Sequence, residues 1–321
     1  MRFIEPSASV VVESNPLKKI ERVGRTCYKS ESAITEESAE KFVSGLASRQ
    51  HFAMLEHAVI HFKYVSSHRT AMSVGQFIHA FADSNEFTKF DEVEKECGNG
   101  EWEIVQYLTV SFSHLVRPDV EDPMIQKQLR DMVDTYLKDG TNVFSGSEGK
   151  FYIIADEDLK TELNGWPNLY EKHMFYTFHF VCDRGVSHEL VRHRCSFGQE
   201  STRYCNYVKD KFGSELSFIL PSTFNDWPDT MKELFYRELN VIEQGYIDMI
   251  KAGLQPQQAR AILPNALKTE VMMTAPIKQW IHFTNLRSKG TTGAPHPDMK
   301  VVADMVLSKL AELEPEHFTV D

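Results

Sequence analysis

The pattern of apolar and polar positions along the chain predicts a mixture of helices and strands. Apolar residues at helical spacing predict helices over residues 39–46, 122–140, 230–252 and 298–313. Asp122 is placed to cap the second of these, Pro123 stands in its first turn, and Gly140 follows its end. Runs rich in β-branched and aromatic residues predict strands over residues 9–13, 58–65, 150–155, 175–182, 215–221 and 269–274. The elements alternate without regular strand–helix–strand spacing, so the fold class is α+β.

The domain organisation follows from the absence of clear boundaries in the 321 residues. No repeat, low-complexity tract or Pro/Gly/Ser linker divides the chain, which indicates one domain over residues 1–321. Residues at about 83–172 are acidic and are expected to be rich in loops. They therefore look like an insertion into a more compact body.

Composition and charge narrow the class of function. The hydrophobic content of 42% is enough for a sizeable core, and the net charge of −11 argues against a general nucleic-acid or membrane-surface binder. No segment has the ~18 unbroken apolar residues of a membrane span. The five cysteines form no CxxC pair, which predicts free thiols in a reducing, cytoplasmic compartment.

The stretch "VRHRCSFGQESTRY" at residues 191–204 concentrates cationic groups within this acidic chain. Arg192, His193 and Arg194 are adjacent, and Arg203 follows with a planar guanidinium that can bind phosphate through two hydrogen bonds. Gly198 and the nearby hydroxyl residues would let backbone amides approach a ligand. The cluster therefore predicts a site for a small anion.

A helix predicted over residues 183–194 would place Glu189, Arg192 and His193 on one face, at i, i+3 and i+4 spacing. The alternative is a solvated charged face on which Glu189 pairs with Arg192. The serine- and glycine-containing segment that follows favours the anion site over this alternative.

Further cationic candidates lie elsewhere in the chain. Arg260 falls near the end of a short helix, where an arginine can also simply stabilise the helix terminus. His282 and Arg287 lie on an aromatic-rich helix followed by a Gly/Thr loop that ends at His296, and such a helix can equally be part of the core. His57 lies just before a predicted strand. It is a candidate for ligand binding, and the alternative is an ordinary polar residue at the end of a strand.

Two other chemistries are not indicated. His188 and His193 are five positions apart and do not share a helix face, and neither HExxH nor a Cys/His metal spacing occurs, so no metal site is predicted. The G-x-S-x-G turn of serine hydrolases does not occur either.

The segments "ELVRHR" and "QESTRY" together resemble the signature of the flavin-dependent thymidylate synthases. The resemblance extends over five blocks in the family's order: "LEHAVIHF", "VCDRGVSHELVRHR", "STRYCNYVKDKFGSELSFILP", "QARAILPNALKTEVMMTAP" and "WIHFTNLR…PHPDM". It covers residues at about 10–65 and 175–315.

The resemblance implies a mixed or antiparallel sheet with flanking helices, in a homotetramer that binds FAD and dUMP at subunit interfaces. It implies reductive methylation of dUMP to dTMP. Methylenetetrahydrofolate would donate the carbon, reduced FAD the hydride, and NADPH would reduce the flavin. No enzyme cysteine would need to attack the uracil ring.

The resemblance also implies roles for individual residues. Arg287 would be catalytic, by hydrogen-bonding the uracil ring and stabilising negative charge there. The dUMP-binding residues would be Glu189, Arg192, Gln199, Glu200, Ser201, Arg203, Arg260 and Arg287. The FAD-binding residues would be His57, Arg192, His193, Arg194, Lys278, His282 and His296.

Two positions depart from the family pattern. Six residues, "CSFGQE", separate Arg194 from Ser201, where the family has seven, and Pro276 stands where members often have asparagine. One alternative is therefore a catalytically altered relative that still binds dUMP and flavin. Another is a non-catalytic nucleotide- or RNA-binding module, which the acidic net charge disfavours.

Overall fold

The computed structural model describes residues 1–66, 78–83, 85–96, 102–120, 122–146, 149–209 and 215–320. Short 3₁₀ turns lie at Glu31–Ala33, Phe224–Asp226 and Arg260–Ile262. Residues 78–83 are helical, and the other α-helices span Pro16–Tyr28, Ser38–Ser48, Phe52–Leu55, Phe112–Val116, Pro123–Asp139, Asp156–Glu162, Pro167–His173, Arg184–Leu190, Asp229–Lys251, Pro256–Ala259, Ile277–Arg287 and Pro297–Leu313.

The strands of the described residues form two main sheets and one short pair. They are β1 (Arg2–Phe3), β2 (Ser7–Val10), β3 (Val59–Ser66), β4 (Lys89–Glu96), β5 (Trp102–Ser111), β6 (Val143–Ser145), β7 (Gly149–Ile154), β8 (Phe175–Asp183), β9 (Ser196–Gln199), β10 (Ser217–Phe218) and β11 (Lys268–Pro276). One sheet has the order β2-β8-β11-β9 and the other β4-β5-β3-β7-β6, and both are antiparallel. β1 and β10 pair in parallel.

The sheet β2-β8-β11-β9 separates two different environments, because alternate residues of a strand point to opposite faces. On one face, Phe178 and Phe180 pack against Trp280 and Phe283 of the helix Ile277–Arg287. This face is apolar and carries the main core. The other face is covered by the helix Pro16–Tyr28 and holds buried polar groups.

The sheet β4-β5-β3-β7-β6 is built largely from residues 83–172 around β3, which precedes that segment. β5 and β7 pair with β3 on its two sides, through Phe62 with Leu108 and Ile153. These residues belong to a second apolar core that also includes the helix Pro123–Asp139. The segment is therefore packed against the rest of the chain through a shared sheet.

Most of the element predictions are confirmed. The class is α+β, with antiparallel sheets and flanking helices. In the helix Pro123–Asp139, Asp122 accepts hydrogen bonds from the amides of Met124 and Ile125, and Gly140 adopts the left-handed conformation with φ of 79°. The helices Ser38–Ser48, Asp229–Lys251 and Pro297–Leu313 and the strands β3, β7, β8 and β11 lie at the expected positions.

Three element predictions are wrong in their extent. The strand expected at 9–13 is β2, which ends at Val10 because the chain then turns toward Asn15, the cap of the next helix. The strand expected at 215–221 is reduced to β10. The helix expected at 183–194 ends at Leu190, because the chain must turn before Ser196 can pair with Thr274 of β11. Glu189, Arg192 and His193 therefore do not share a helical face.

The prediction that residues 83–172 are rich in loops is also wrong. Their described parts consist mainly of helices and strands, and the apolar positions of β5 are buried without interruption from Ile104 to Ser111. An acidic surface and a buried interior coexist here, because the charged residues occupy the exposed positions.

Gly198 is required for packing, whereas the sequence analysis predicted that it lets backbone amides approach a ligand. It lies on β9, beneath the helix Pro16–Tyr28. A Cβ atom at this position would stand 2.7 Å from Val23 Cγ1 and 3.1 Å from Cys27 Sγ. The glycine thus allows the helix to pack closely on the edge of the sheet.

Replacing Gly198 with alanine is expected to destabilise the protein by about 1–3 kcal/mol, because the added methyl group overpacks a closed interior. Gly45→Ala is the matched control, since a Cβ there meets nothing within 4 Å. That change lies in the helix Ser38–Ser48 and should stabilise by up to about 1 kcal/mol. Urea unfolding midpoints measure both effects, and an unchanged midpoint for Gly198→Ala would contradict the packing argument.

Candidate active site

Two helices bring distant residues together over the apolar face of the sheet β2-β8-β11-β9. The helix Arg184–Leu190 follows β8 directly, and the helix Ile277–Arg287 follows β11 directly. β8 and β11 are antiparallel and pair from Asp183–Lys268 at one end to Phe175–Pro276 at the other. The two helices therefore start at opposite ends of the sheet and meet end to end.

Arg287, the last residue of its helix, is the centre of this junction. Its Nη1 donates to Oε2 of Glu189 at 2.7 Å, and its Nε donates to Nε2 of His193 at 3.1 Å. All three side chains are partly exposed. The guanidinium is thus held by two partners in a fixed plane while remaining open to a ligand.

His193 is held as a neutral acceptor in this group. Its ring packs edge-on against Phe283, with centroids 5.1 Å apart, and lies 6.1 Å from the ring of His282. Burial, together with neighbouring Arg287 and His282, lowers the pKa of His193 to about 4. At neutral pH its Nε2 therefore accepts the hydrogen bond from Arg287 and the ring carries no charge.

A second cluster lies at residues 201–204 and holds two guanidinium groups. Arg203 Nε donates to Oε1 of Gln257 at 3.2 Å, and Arg260 Nη1 donates to Oγ1 of Thr202 at 3.3 Å. The Ser201 hydroxyl accepts from the amide of Arg203 at 3.3 Å. Both arginines are exposed and retain further N–H groups, so the cluster can bind a phosphate through several charge-assisted hydrogen bonds.

The sheet separates the two clusters within one chain. Arg287 lies over the face that carries Phe178 and Phe180. The turn at Ser201 lies on the other side of the sheet, next to the C-terminal end of the helix Pro16–Tyr28. The amide of Ser201 donates to the carbonyl oxygen of Cys27 at 3.0 Å. The residues expected to bind one nucleotide are thus found in two places.

Gln199 and Glu200 point to opposite faces of the sheet. Gln199 Nε2 donates to the hydroxyl of Ser187 at 3.0 Å, beside the first cluster. Glu200 is buried, and its two oxygens contact Lys268 Nζ at 2.9 Å and the Tyr207 hydroxyl at 3.1 Å. Glu200 is therefore fully engaged within the chain, whereas the predicted role was nucleotide binding.

A network of buried charges surrounds Glu200 and stiffens this side of the sheet. Glu270 contacts Lys268, Lys29 at 2.5 Å and His179 at 2.9 Å. Although burial opposes it, the hydrogen bond from His179 and the two ammonium groups hold the pKa of Glu270 far below its ordinary value. The turn that carries Ser201 is thus anchored to a rigid strand.

Two of the predicted flavin-binding residues line a cavity of about 520 Å³ at the start of the helix Ile277–Arg287. Arg194 and Lys278 face it from the C-terminal part of the chain, together with Phe175 and Pro276. The opposite wall comes from His79, Ala82 and Asp83 and from residues 85–91. Lys278 and His282 are both exposed and four positions apart on one helix, so a solvent-facing side of that helix joins the cavity to His193 and Arg287.

The remaining predicted flavin residues are placed differently. His57 is fully buried, with Nδ1 bonded to the Thr274 hydroxyl at 2.7 Å, and burial lowers its pKa to about 3. Its Nε2 has no hydrogen-bond partner among the described residues. The exposed His296 caps the helix Pro297–Leu313 through the amide of Asp298, and Arg192 is exposed beside the first cluster. The structure does not bring His57 or His296 to the cavity.

Sequence reasoning missed three residues that the structure places at these sites. Thr202 and Gln257 orient the guanidinium groups of Arg260 and Arg203. Lys89 faces the cavity from the segment that was expected to consist of loops. The polar residues flanking Arg203 and Arg260 were a usable signal, but nothing local pointed to Lys89.

Two further observations concern metal binding and membrane spans among the described residues. They contain no group of three or more His, Cys, Asp or Glu side chains placed to hold a metal ion. No helix among them has both the length and the apolar character needed to cross a membrane.

The two arginine-centred clusters of this antiparallel α+β body have the chemistry to bind an anionic small molecule. Residues 170–316 match the family described as thymidylate synthase complementing protein. The matched residues make up a little under half of the chain.

Curated proteins that are similar to part of this chain are named flavin-dependent thymidylate synthases. A flavin-dependent thymidylate synthase of Pyrococcus furiosus is 33% identical over 151 residues, which are 44% of this chain and 59% of that protein. One of Geobacter sulfurreducens is 30% identical over 118 residues, which are 36% of this chain and 49% of that protein. The matches therefore cover less than two thirds of either relative's length.

Among solved structures, the UMP/dUMP methylase PolB from Streptomyces cacaoi, bound with 5-Br dUMP, aligns over 99% of this chain and 95% of its own. The sequence identity is 13% and the TM-score is 0.43, which is too low to establish a common fold.

Proposed function

We propose that the protein is a flavin-dependent thymidylate synthase that converts dUMP to dTMP. Methylenetetrahydrofolate is the carbon donor, bound reduced FAD the hydride donor and NADPH the reductant in this proposal. It is supported by the family match of residues 170–316 and by the curated relatives, and the observation that carries it is the pair of oriented arginine clusters. A nucleotide monophosphate needs both a phosphate site and a polar site for its base.

The cluster at residues 201–204 suits the phosphate of dUMP. Gln257 and Thr202 each occupy one nitrogen of a guanidinium group, which leaves the other N–H groups of Arg203 and Arg260 available. The hydroxyl of Ser201 adds a further donor. Several charge-assisted donors around one dianion give strong binding without any contact to the base.

The cluster at Arg287 suits the uracil ring. Glu189 and neutral His193 hold the guanidinium in place, so Arg287 can donate to a carbonyl oxygen of the base as negative charge develops there. The neutral ring of His193 adds no competing positive charge. Gln199, held by Ser187, lies on the same side of the sheet and can contribute an amide.

The cavity at Arg194 and Lys278 fits a flavin cofactor. Its volume of about 520 Å³ and its aromatic and cationic lining are typical of a pocket for a ring system with a charged tail. Lys278 and Arg287 are nine positions apart on one helix, so the cavity and the uracil cluster are separated by about 14 Å along the helix axis. Arg194, Lys278 and His282 would hold the cofactor along this helix.

The separation of the two clusters supports a site shared between subunits. Within one chain the sheet stands between Arg203 and Arg287. One nucleotide can contact both if they come from two chains, as in the homotetramer that we propose. The same arrangement would leave His57 in a structural role beneath the sheet.

The visible absorbance spectrum of the purified protein and the formation of dTMP test this proposal. Purified protein should be yellow, with flavin absorbance that responds to added dUMP. The reduced protein should form dTMP from dUMP and methylenetetrahydrofolate. Bound flavin and bound dUMP without dTMP would instead identify a catalytically altered relative, for which Pro276 and the short link between Arg194 and Ser201 are the candidate causes. Protein that binds neither ligand would overturn the proposal.

Cys195→Ser is expected to keep activity within about twofold of the parent, because the cysteine thiol is not a nucleophile here. Burial and nearby Glu86 raise the pKa of Cys195 to about 12, so its reactive thiolate is scarce at neutral pH. Cys205 is fully buried and should also be replaceable by serine, with at most a loss of stability. A folded, flavin-loaded Cys195→Ser protein without activity would contradict this mechanism.

A further inference from the structure

The wall of the 520 Å³ cavity opposite Arg194 and Lys278 belongs to the segment at residues 83–172 and the helical residues before it. Lys89 and Asp91 lie on β4, and Lys172 lies beside them in the last turn of the helix Pro167–His173. The cavity therefore lies between this segment and the C-terminal half that carries the family signature.

The lining of the cavity has four lysine and arginine side chains (Lys89, Lys172, Arg194 and Lys278) and three carboxylates (Asp83, Glu86 and Asp91). Among the described residues, Lys89, Arg194 and Lys278 have no carboxylate within ion-pair distance, and the Lys89 ammonium donates to the carbonyl oxygen of Glu86. Lys172 is neutralised by Asp91 at 2.8 Å. Burial and the charges of Lys172 and Lys278 lower the pKa of Lys89. The lining therefore keeps a net positive charge in a chain of net charge −11, and it can bind an anion through charge-assisted hydrogen bonds.

The rest of the lining suits a ligand that is both aromatic and anionic. Phe87, Phe90 and Phe175 supply apolar surface, and the His79 ring contacts the Asp83 carboxylate at 3.0 Å. The helix Ile277–Arg287 begins here, with no acidic residue in its first turn. Its N-terminus adds positive potential to that of the three cations.

We propose that Lys89 is a further cofactor-binding residue, and that with Arg194 and Lys278 it binds the pyrophosphate of an adenine dinucleotide. The inference rests on the proposed function, which supplies two such dinucleotides, FAD and NADPH. The segment at residues 83–172 is then part of the cofactor site. Lys89 lies on β4, which is joined to β3 through β5, and this pairing holds Lys89 opposite Arg194 and Lys278.

Cofactor affinity tests this assignment in Lys89→Met and Lys89→Glu variants, with Lys138→Met as the matched control. Lys138 is an exposed lysine in the same segment, in the last turn of the helix Pro123–Asp139. Removal of one charge-assisted contact should raise the Kd for FAD by about tenfold or more, and the glutamate should raise it further. Lys138→Met should leave the Kd unchanged, and Lys278→Met should reproduce the effect of Lys89→Met.

The choice of ligands separates the possible outcomes. FMN has no pyrophosphate, so its affinity should change little in any variant. A weakened NADPH affinity with intact FAD affinity would support the site and assign it to NADPH. Unchanged affinity for both dinucleotides, in variants with the parent's thermal midpoint, would overturn the proposal.

Inorganic pyrophosphate makes the test independent of the proposed function. If the parent protein binds no flavin, the proposed function fails, but pyrophosphate titrated by calorimetry should still bind the parent and not Lys89→Glu. Equal pyrophosphate binding by the parent and Lys89→Glu, or no binding by the parent, would remove the site itself.

Discussion

Arg287→Ala is expected to reduce dTMP formation by at least about 10²-fold while the protein retains its flavin, because an oriented donor to developing negative charge is lost. Arg287 contacts Glu189 and His193, whereas the proposed cofactor residues Arg194 and Lys278 line the cavity at the other end of the helix. The variant should therefore separate the loss of turnover from the loss of cofactor. Single-turnover product formation and the flavin-to-protein ratio measure the two effects.

Two further measurements make the interpretation of Arg287→Ala specific. Arg287→Lys keeps the charge but cannot donate to Glu189 and His193 in one plane, so most of the activity should still be lost. The pKa of His193 should rise from about 4 in Arg287→Ala, because one of the groups that lower it has been removed. Histidine resonances followed by NMR report this shift, and Arg237→Ala on an exposed helix is the control. Loss of flavin in Arg287→Ala would contradict the assigned role.

Mixing Arg203→Ala and Arg287→Ala subunits is expected to restore activity that neither variant has alone. If the phosphate cluster of one chain and the uracil cluster of another form each site, about one quarter of the sites in a random mixture contain both arginines. The physical reason is the position of the sheet, which stands between the two clusters of a single chain. Co-expression with two different tags, followed by a dTMP assay, measures the restoration.

The control for this experiment is a mixture of Arg203→Ala with Arg260→Ala. Arg260 and Arg203 are joined to neighbouring residues of one cluster through Thr202 and Gln257, so they belong to the same half of the site. Their mixture should therefore remain inactive. No activity in the mixture with Arg287→Ala would show that one chain supplies the whole nucleotide site. Activity in the control would show that Arg203 and Arg260 belong to different halves of the site.

The sequence itself determined the features that depend on local patterning. The cap at Asp122, the left-handed glycine at 140 and the alternating runs of β8 and β11 follow from propensity and periodicity, and they appear as expected. The cluster at residues 191–204 was visible because its charges are adjacent in the chain. The contact of Arg287 with Glu189, in contrast, spans 98 positions and depends on two helices that meet over the sheet.

Tertiary structure decided which chemically similar residues remain available to a ligand. Gln199 and Glu200 are neighbours in the chain, but the strand directs one toward the helices and the other into a buried ion pair with Lys268. His57 is buried where the chain packs on β11, and its ring bonds to the hydroxyl of Thr274.

Only the tertiary structure could reveal that residues 83–172 contribute to a cavity. Their acidic composition suggested loops, since net composition does not distinguish an exposed charged face from a disordered segment. Packing around β3 orders the segment and brings Lys89 opposite Arg194 and Lys278. The sequence determined the family signature and the local elements. The fold decided, through strand register and helix direction, which cations share a site.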